Sequence, residues 1–540
     1  MITSQIGALQ SLATLLRDDK ALMSLIGSPD GTVAVPEAAR SIAIAALAQL
    51  SGRRPVVVAC PTSTMAAQLA DDIKAFMPAG DVVLFPAWET LPFKRVSPSV
   101  ETMGRRLEVL WRMQSEDRTP QIIVASMRAL LQQLGPDTAT NQPVIIRKGM
   151  SIDPDDLMRT LVNGGYRREE LVEHRGEVAR RGAIIDVFPS TADAPIRIDL
   201  WGDEVDRLTN FSVHDQRSDN DLDEVAIFPA RELILNEAVR ERAASMVASE
   251  PWGREHWERL SEGALFDGME SWLPWLTNSP TLLSDILPRG SKMLLIEPRR
   301  MRDRAADLLA EEADLAKALA SSWARDAERD FPRLYSPPDR LLSETRGSWN
   351  LIPVADGPDM PLMEASGWGA MGGSGDGIAD RMRTLLSQGY RVVVAADGEG
   401  SAQRLSEIFS NAGLQLDIYH ELTDGKAPNL ASKGGAIVVT SLHRGFSIPS
   451  AKVAVITEAD ITGRRRSHRQ PRPKKREGGT VFEDLKTGNY VVHYIHGVAK
   501  YEGMVKRTVG GIERDYLLLA YKGGDKLYVP SDQIDTVRHY

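Results

Sequence analysis

Three times before residue 130 the chain runs a short apolar stretch into a helix-forming one, and this alternation restricts its fold more than any other feature. Pro55–Cys60 reads Pro-Val-Val-Val-Ala-Cys and precedes a helical pattern from Ser63 to Phe76; Val82–Phe85 and Gln121–Ala125 are further apolar runs, each followed by helix-forming sequence. Runs apolar at every position suit strands buried on both faces. Strand–helix alternation of this kind predicts an α/β layer with a parallel sheet over residues 1–142.

From about Val144 the texture changes. A helix at Pro154–Asn163 leads into dense strand signals at Gly182–Phe188, Ile196–Trp201 and Arg207–Val213, which predict a compact α+β insert over 143–217. Helical stretches at Ala238–Ser249 and Met301–Ser321, with a strand at Met293–Glu297 between them, make 218–345 the continuation of the first domain. Residues 346–378, rich in Gly, Pro and Met, are expected to be a linker. The α/β texture returns over 379–460, and a second, basic linker over 461–481 precedes 482–540. That last stretch alternates β-branched and aromatic runs with Gly497, Gly503, Gly510-Gly511 and Gly523-Gly524, the spacing of a small barrel of four or five strands. A module of roughly fifty residues has no room for an enclosed active site, so partner binding is the first expectation for it.

The totals narrow the function classes. A length of 540 residues allows several domains, and 42% hydrophobic with 26% charged residues is ordinary for globular proteins. Cys60 is the only cysteine, which excludes an intramolecular disulfide framework and suits a reducing cytoplasm. No secretory signal is read at the N-terminus, and no apolar run approaches the roughly 20 residues needed to span a bilayer, so a cytoplasmic protein with no membrane partner is expected. Net charge is −9, yet Arg464–Arg476 holds eight cations and no acid, which leaves −17 for the rest. An acidic body argues against a broad nucleic-acid footprint outside that basic run.

Candidate sites are few. Val33–Ala45 stands where a phosphate-binding loop would precede a helix, with Ala34, Ala39, Arg40 and Ser41 at the positions of the loop's two glycines, lysine and hydroxyl residue. Such a loop needs glycines so that backbone N–H groups close on phosphate, and the lysine for the terminal phosphates. Here Cβ atoms intrude and the lysine is absent, so an inert helix start is favoured over ATP binding. No motif supplies a catalytic residue, and His493 with His496 falls on opposite faces of one strand without a third ligand, so no metal site is expected. Within Ile196–Trp201 alternation puts Arg197, Asp199 and Trp201 on one face, with Arg181 on an adjoining strand. An exposed arginine and tryptophan have the composition of an interface hot spot; an ordinary solvated face is the equal alternative. The basic run Arg464–Arg476 is either a phosphate-contacting segment or a solubilising linker, the second being favoured.

Phe85–Phe93, Ser97–Leu107, the Arg181–Glu204 block and Val492–Met504 together resemble the bacterial transcription-repair coupling factors, the Mfd family, and the resemblance runs from Met1 to Tyr540 in domain order. It implies a multidomain α/β protein: a UvrB-like, degenerate RecA/helicase-like module over 1–142 and 218–345, a UvrA-binding insert over 143–217, a small α/β domain of unknown role over 379–460, and an RNA-polymerase-interaction domain with a Tudor/CarD-like barrel over 482–540. By resemblance the UvrA contacts fall on Arg181, Arg197 and Trp201, an aromatic that is often Phe. The contact with the polymerase β subunit centres on Tyr494, where some relatives carry Leu, with Ile495 beside it. The degenerate loop at Ala34–Ser41 fits a module that has lost nucleotide binding. Family members continue into an ATP-driven double-stranded DNA translocase; no motor motif is read here, so the sequence is expected to be an N-terminal portion with no cofactor of its own, ATP and Mg²⁺ serving the motor. The rival readings are an ATP-dependent DNA enzyme acting through 1–345 and a UvrB-like damage-binding protein.

Overall fold

The computed structural model describes residues 8–93, 96–136, 138, 141–277, 279–322, 331–342, 347–368, 375–419, 430, 434–462, 488–493, 497–509, 512–521, 525–530 and 537–539. The chain divides into two compact units, 1–466 and 467–540.

The first unit is built on a six-stranded sheet in the order Gly31–Ala34, Trp349–Ile352, Lys292–Ile296, Val56–Cys60, Ile122–Ser126, Val82–Phe85. Every pairing in it is parallel. The continuous apolar runs are explained by burial on both sides. Val56, Val58 and Cys60 enter one hydrophobic core, while Val57 and Ala59 enter another on the opposite face. Helices begin where short polar side chains can accept a free backbone N–H: Thr62 caps Ser63–Lys74 through Met65 N at 3.2 Å, and Ser99 caps Val100–Arg112 through Thr102 N at 3.1 Å. Trp349–Ile352 lies inside the stretch expected to be a linker and is instead an internal strand of this sheet. Its four residues alternate Trp-Asn-Leu-Ile, too short a signal to stand out beside the Gly- and Pro-rich sequence that follows.

The insert leaves and re-enters through an antiparallel pair, Val144–Arg147 with Glu224–Ile227. Between them lies a six-stranded sheet ordered Ser218–Asp221, Glu204–Phe211, Ile196–Trp201, Ile184–Val187, Glu177–Arg181, Arg167–Arg168. The sheet therefore runs past 217, because Ser218–Asp221 pairs back onto Glu204–Phe211. Helix Pro154–Asn163, opened by Asp153 and by proline at its first turn, covers its inner face with Leu157, Met158 and Leu161.

A third sheet of mixed direction contains Ser366–Gly367, Phe446–Ile448, Val453–Thr457, Arg391–Ala396, Gly434–Val439 and Asp417–Tyr419 in that order. One face of it, through Val393, Ala395, Val438, Phe446 and Val455, belongs to the same hydrophobic core as Val56 of the first sheet, Ile42 and Leu47 of the helix Arg40–Ser51, and Phe76.

The second unit is an antiparallel sheet in the order Lys526–Pro530, Ile512–Ala520, Gly497–Val509, Tyr490–His493, Val537–His539. Its core is Val491, Ala499, Tyr501, Leu517, Leu519 and Val529. Gly503, at φ +119°, sits where the register shifts, a conformation that a side chain would oppose. Five strands are present as expected for a small barrel; among the described residues their pairing is an open order without a closing pair. No described helix is long and apolar enough to cross a membrane.

Candidate functional site

The outer face of the insert sheet is the best-built candidate. Ile196, Ile198 and Leu200 are buried in the insert core, so Arg197, Asp199 and Trp201 turn outward. Cross-strand register then sets two rows on that face. Arg181, Ile184, Asp199 and Arg207 form one; Ala179, Asp186, Arg197 and Thr209 form the other. Trp201 stands beside Gly202, whose φ of +64° turns the strand back, and is 82% exposed. A tryptophan left this open costs solvation and is a ready hydrophobic anchor.

The two arginines differ sharply. The Arg181 side chain is 43% exposed, with Nη2 2.5 Å from Asp186 Oδ2. Arg197 is only 13% exposed, contrary to the open arginine expected from alternation. Its Nε and Nη2 donate to the two oxygens of Asp186 at 2.7 and 3.0 Å, its Nη1 donates to the Gln216 carbonyl at 3.0 Å, and its plane lies 4.7 Å from the Phe211 ring centre. These hydrogen bonds to Asp186 hold the Arg197 guanidinium more firmly protonated than usual. Over this half of the face Val172, Ala179, Phe188 and Phe211 form a small core of their own, with Val213 against it. Asp186 and Gln216 escaped the sequence reading. The signal was present for Asp186: a carboxylate inside Ala183-Ile-Ile-Asp-Val-Phe188 needs a cation or it would not be buried.

The loop in the phosphate-loop position is closed by the chain itself. Ala34 N donates to the Pro361 carbonyl at 2.9 Å and Val35 N to that of Ile352 at 2.8 Å. Ala39 ends a short 3₁₀ turn, and Arg40 and Ser41, both buried, begin the helix Arg40–Ser51. Arg40 Nη2 lies 2.6 Å from Glu297 Oε1, so the cation standing nearest the lost lysine is already neutralised. Beside it, burial pushes the Cys60 thiol up to about 12, which makes it inert. Occupied amides, a paired arginine and two alanines do not fit a nucleoside triphosphate.

Among the described residues of the second unit Tyr490 and Val498 are exposed apolar side chains, 58% and 48% open, on antiparallel paired strands. Tyr494 and Ile495 lie outside the described residues, as do His496 and the basic run Arg464–Arg476.

With this geometry in hand, the likeness to known proteins is specific. Residues 144–233 match the UvrB interaction domain, 385–461 the MFD D3 domain, and 485–540 the CarD-like/TRCF RID domain. The chain is 34% identical over 95% of its length to the transcription-repair-coupling factor of Mycobacterium tuberculosis, and 29% identical over 93% to that of Bacillus subtilis. The one from Haemophilus influenzae is 28% identical over 93%. In each case the chain spans 44% of the relative's length. Three domain matches in one order, and likeness along nearly the whole chain, place this protein in the transcription-repair-coupling factor family.

Proposed function

We propose that this chain serves transcription-coupled DNA repair as an adaptor, holding RNA polymerase through residues 482–540 and recruiting UvrA through the insert. The observation that carries the reading is the presence on one chain of a UvrB interaction domain and a CarD-like/TRCF RID domain. Geometry supports the first contact, because Trp201 and Arg181 are open on a rigid sheet face. For the second, Tyr490 and Val498 offer exposed apolar surface on the paired strands that flank Tyr494 and Ile495 in sequence, the expected contact with the polymerase β subunit. The module over 1–345 contributes shape rather than nucleotide chemistry in this reading, since its loop residues do not fit a triphosphate. ATP, Mg²⁺ and double-stranded DNA are assigned to the translocase of full-length members, which displaces the polymerase.

The test is a paired pull-down with the whole chain. Tyr494→Arg should abolish capture of RNA polymerase while UvrA capture persists, and Trp201→Ala should do the reverse. Polymerase binding that survives Tyr494→Arg would remove the first contact from the proposal. Measurable ATP affinity at 1–345 would revive an enzymatic role.

A further inference from the structure

Of Arg181 and Arg197, only Arg181 has nitrogens to offer a partner. Arg197 has each of its guanidinium nitrogens on an acceptor inside the insert, and its side chain is 13% exposed. Arg181 gives a single nitrogen to Asp186 and leaves the others free to turn outward, in the cross-strand row next to Trp201. Both arginines meet on one carboxylate, and Asp186 is 1% exposed.

We propose that Arg197 is a positioning residue: by neutralising the buried Asp186 it keeps Arg181 extended beside Trp201, and Arg181 with Trp201 makes the direct contact with an acidic and apolar patch on the partner. This rests on the UvrA reading of the face. The physics is a competition for one buried charge. A carboxylate removed from water must be matched by a cation with good geometry, and the bidentate fork is the strongest match available. Arg197 supplies that fork from the directly opposite position in the register. When it is removed, the nearest cation is Arg181, already bonded to Oδ2. Its fork then closes on both oxygens of Asp186 and is withdrawn from the face. Loss of Arg197 thus silences Arg181 from behind, without Arg197 touching the partner at all. Removing the charge on Asp186 removes the pull.

The two roles give opposite double-mutant results. In the whole chain, affinity for UvrA from the same organism is measured by titration for Arg197→Ala, Asp186→Asn, the pair together, and Trp201→Ala, with thermal unfolding of each. Arg197→Ala should weaken binding by about ten-fold or more, and adding Asp186→Asn should restore it to within about three-fold of the parent, a coupling expected for residues sharing one charge network. A double variant as weak as Arg197→Ala alone would overturn the inference and make Arg197 a direct contact. If Arg197→Ala does not fold, Arg197→Gln with and without Asp186→Asn makes the same comparison with a smaller void. Trp201→Ala separates the two levels. If it too leaves affinity unchanged, the face is not the UvrA site and both proposals fall; if it weakens binding while rescue fails, only the positioning role is lost.

Discussion

Glu312 is the residue with the most to lose from its surroundings. It is 1% exposed on the helix Pro298–Ser322, and its oxygens accept the backbone N–H groups of Leu334 and Tyr335 at 2.6 and 3.3 Å, with the Arg333 charge nearby. Burial raises its carboxyl to about 7 against the two backbone hydrogen bonds that lower it. Because the folded value lies above the unfolded one near 4.5, its stabilising contribution is full below about pH 4.5 and is lost as pH rises through 7. Glu312→Gln should flatten that decline, read from denaturant unfolding across pH. Here sequence had little to offer: Glu312 looks like any charged residue of a long helix, and only the return of residues 331–336 across it makes it special. Trp201 is the opposite case, since strand alternation alone turned it outward. Arg197 lies between the two. Its direction was legible, but its burial under Phe211 and Gln216 was not, because that depends on a loop folding back over the sheet.

At the scale of elements, the chain just past the insert is held to the helix Val100–Arg112 by a fully buried ion pair. Arg106, on the helix Val100–Arg112, puts Nε and Nη2 on the two oxygens of Glu232 at 2.7 and 3.0 Å, both side chains being 0% exposed. Trp88 Nε1 donates to the same carboxylate at 2.8 Å, and the guanidinium lies 4.3 Å from the Phe85 ring centre. Arg175 of the insert reaches Glu101 on the same helix at 2.6 Å, and Gly104 leaves room for Ser190, which any side chain there would strike. The insert is therefore anchored where the chain leaves it. Arg106→Met should destabilise the protein by about 3–5 kcal/mol because it strands a buried carboxylate, whereas Arg106→Met with Glu232→Leu should regain most of that loss. Equal losses in the single and double variants would place the cost in packing instead. Phe85–Phe93 and Ser97–Leu107 stood out in the sequence, yet nothing in them names Glu232, 126 residues on from Arg106.

Across the first unit as a whole, the α/β segment over 379–460 is not tethered loosely but packed. Phe446 lies 6.1 Å from Phe76 between ring centres, Arg444 pairs with Glu37 at 2.6 Å, and His443 meets Asp72 through both its backbone N and Nδ1 at 2.9 and 2.8 Å. Phe446 is fully buried, so Phe446→Ala should cost about 3–5 kcal/mol, and calorimetry should show the two sheets melting in one transition. An early, separate transition for 379–460 in the parent would contradict the shared core. The hydrogen bond to Asp72, with Asp71 and Asp397 nearby, raises the His443 imidazole above its ordinary 6.5. Its contribution is full below about pH 6.5 and fades as pH rises through the folded value; Asp72→Asn should remove that pH dependence. The sequence by itself determined the strand–helix alternation of the first sheet, the outward turn of Trp201 and the family, because hydrophobic period and motif are local properties of the chain. Tertiary structure alone decided that Arg197 is covered, that Arg106 finds Glu232, that Trp349–Ile352 is an inner strand and that 379–460 shares the core of the first sheet. Each of these depends on which distant segments meet, and a buried charge or an apolar face acquires its partner only when the chain closes on it.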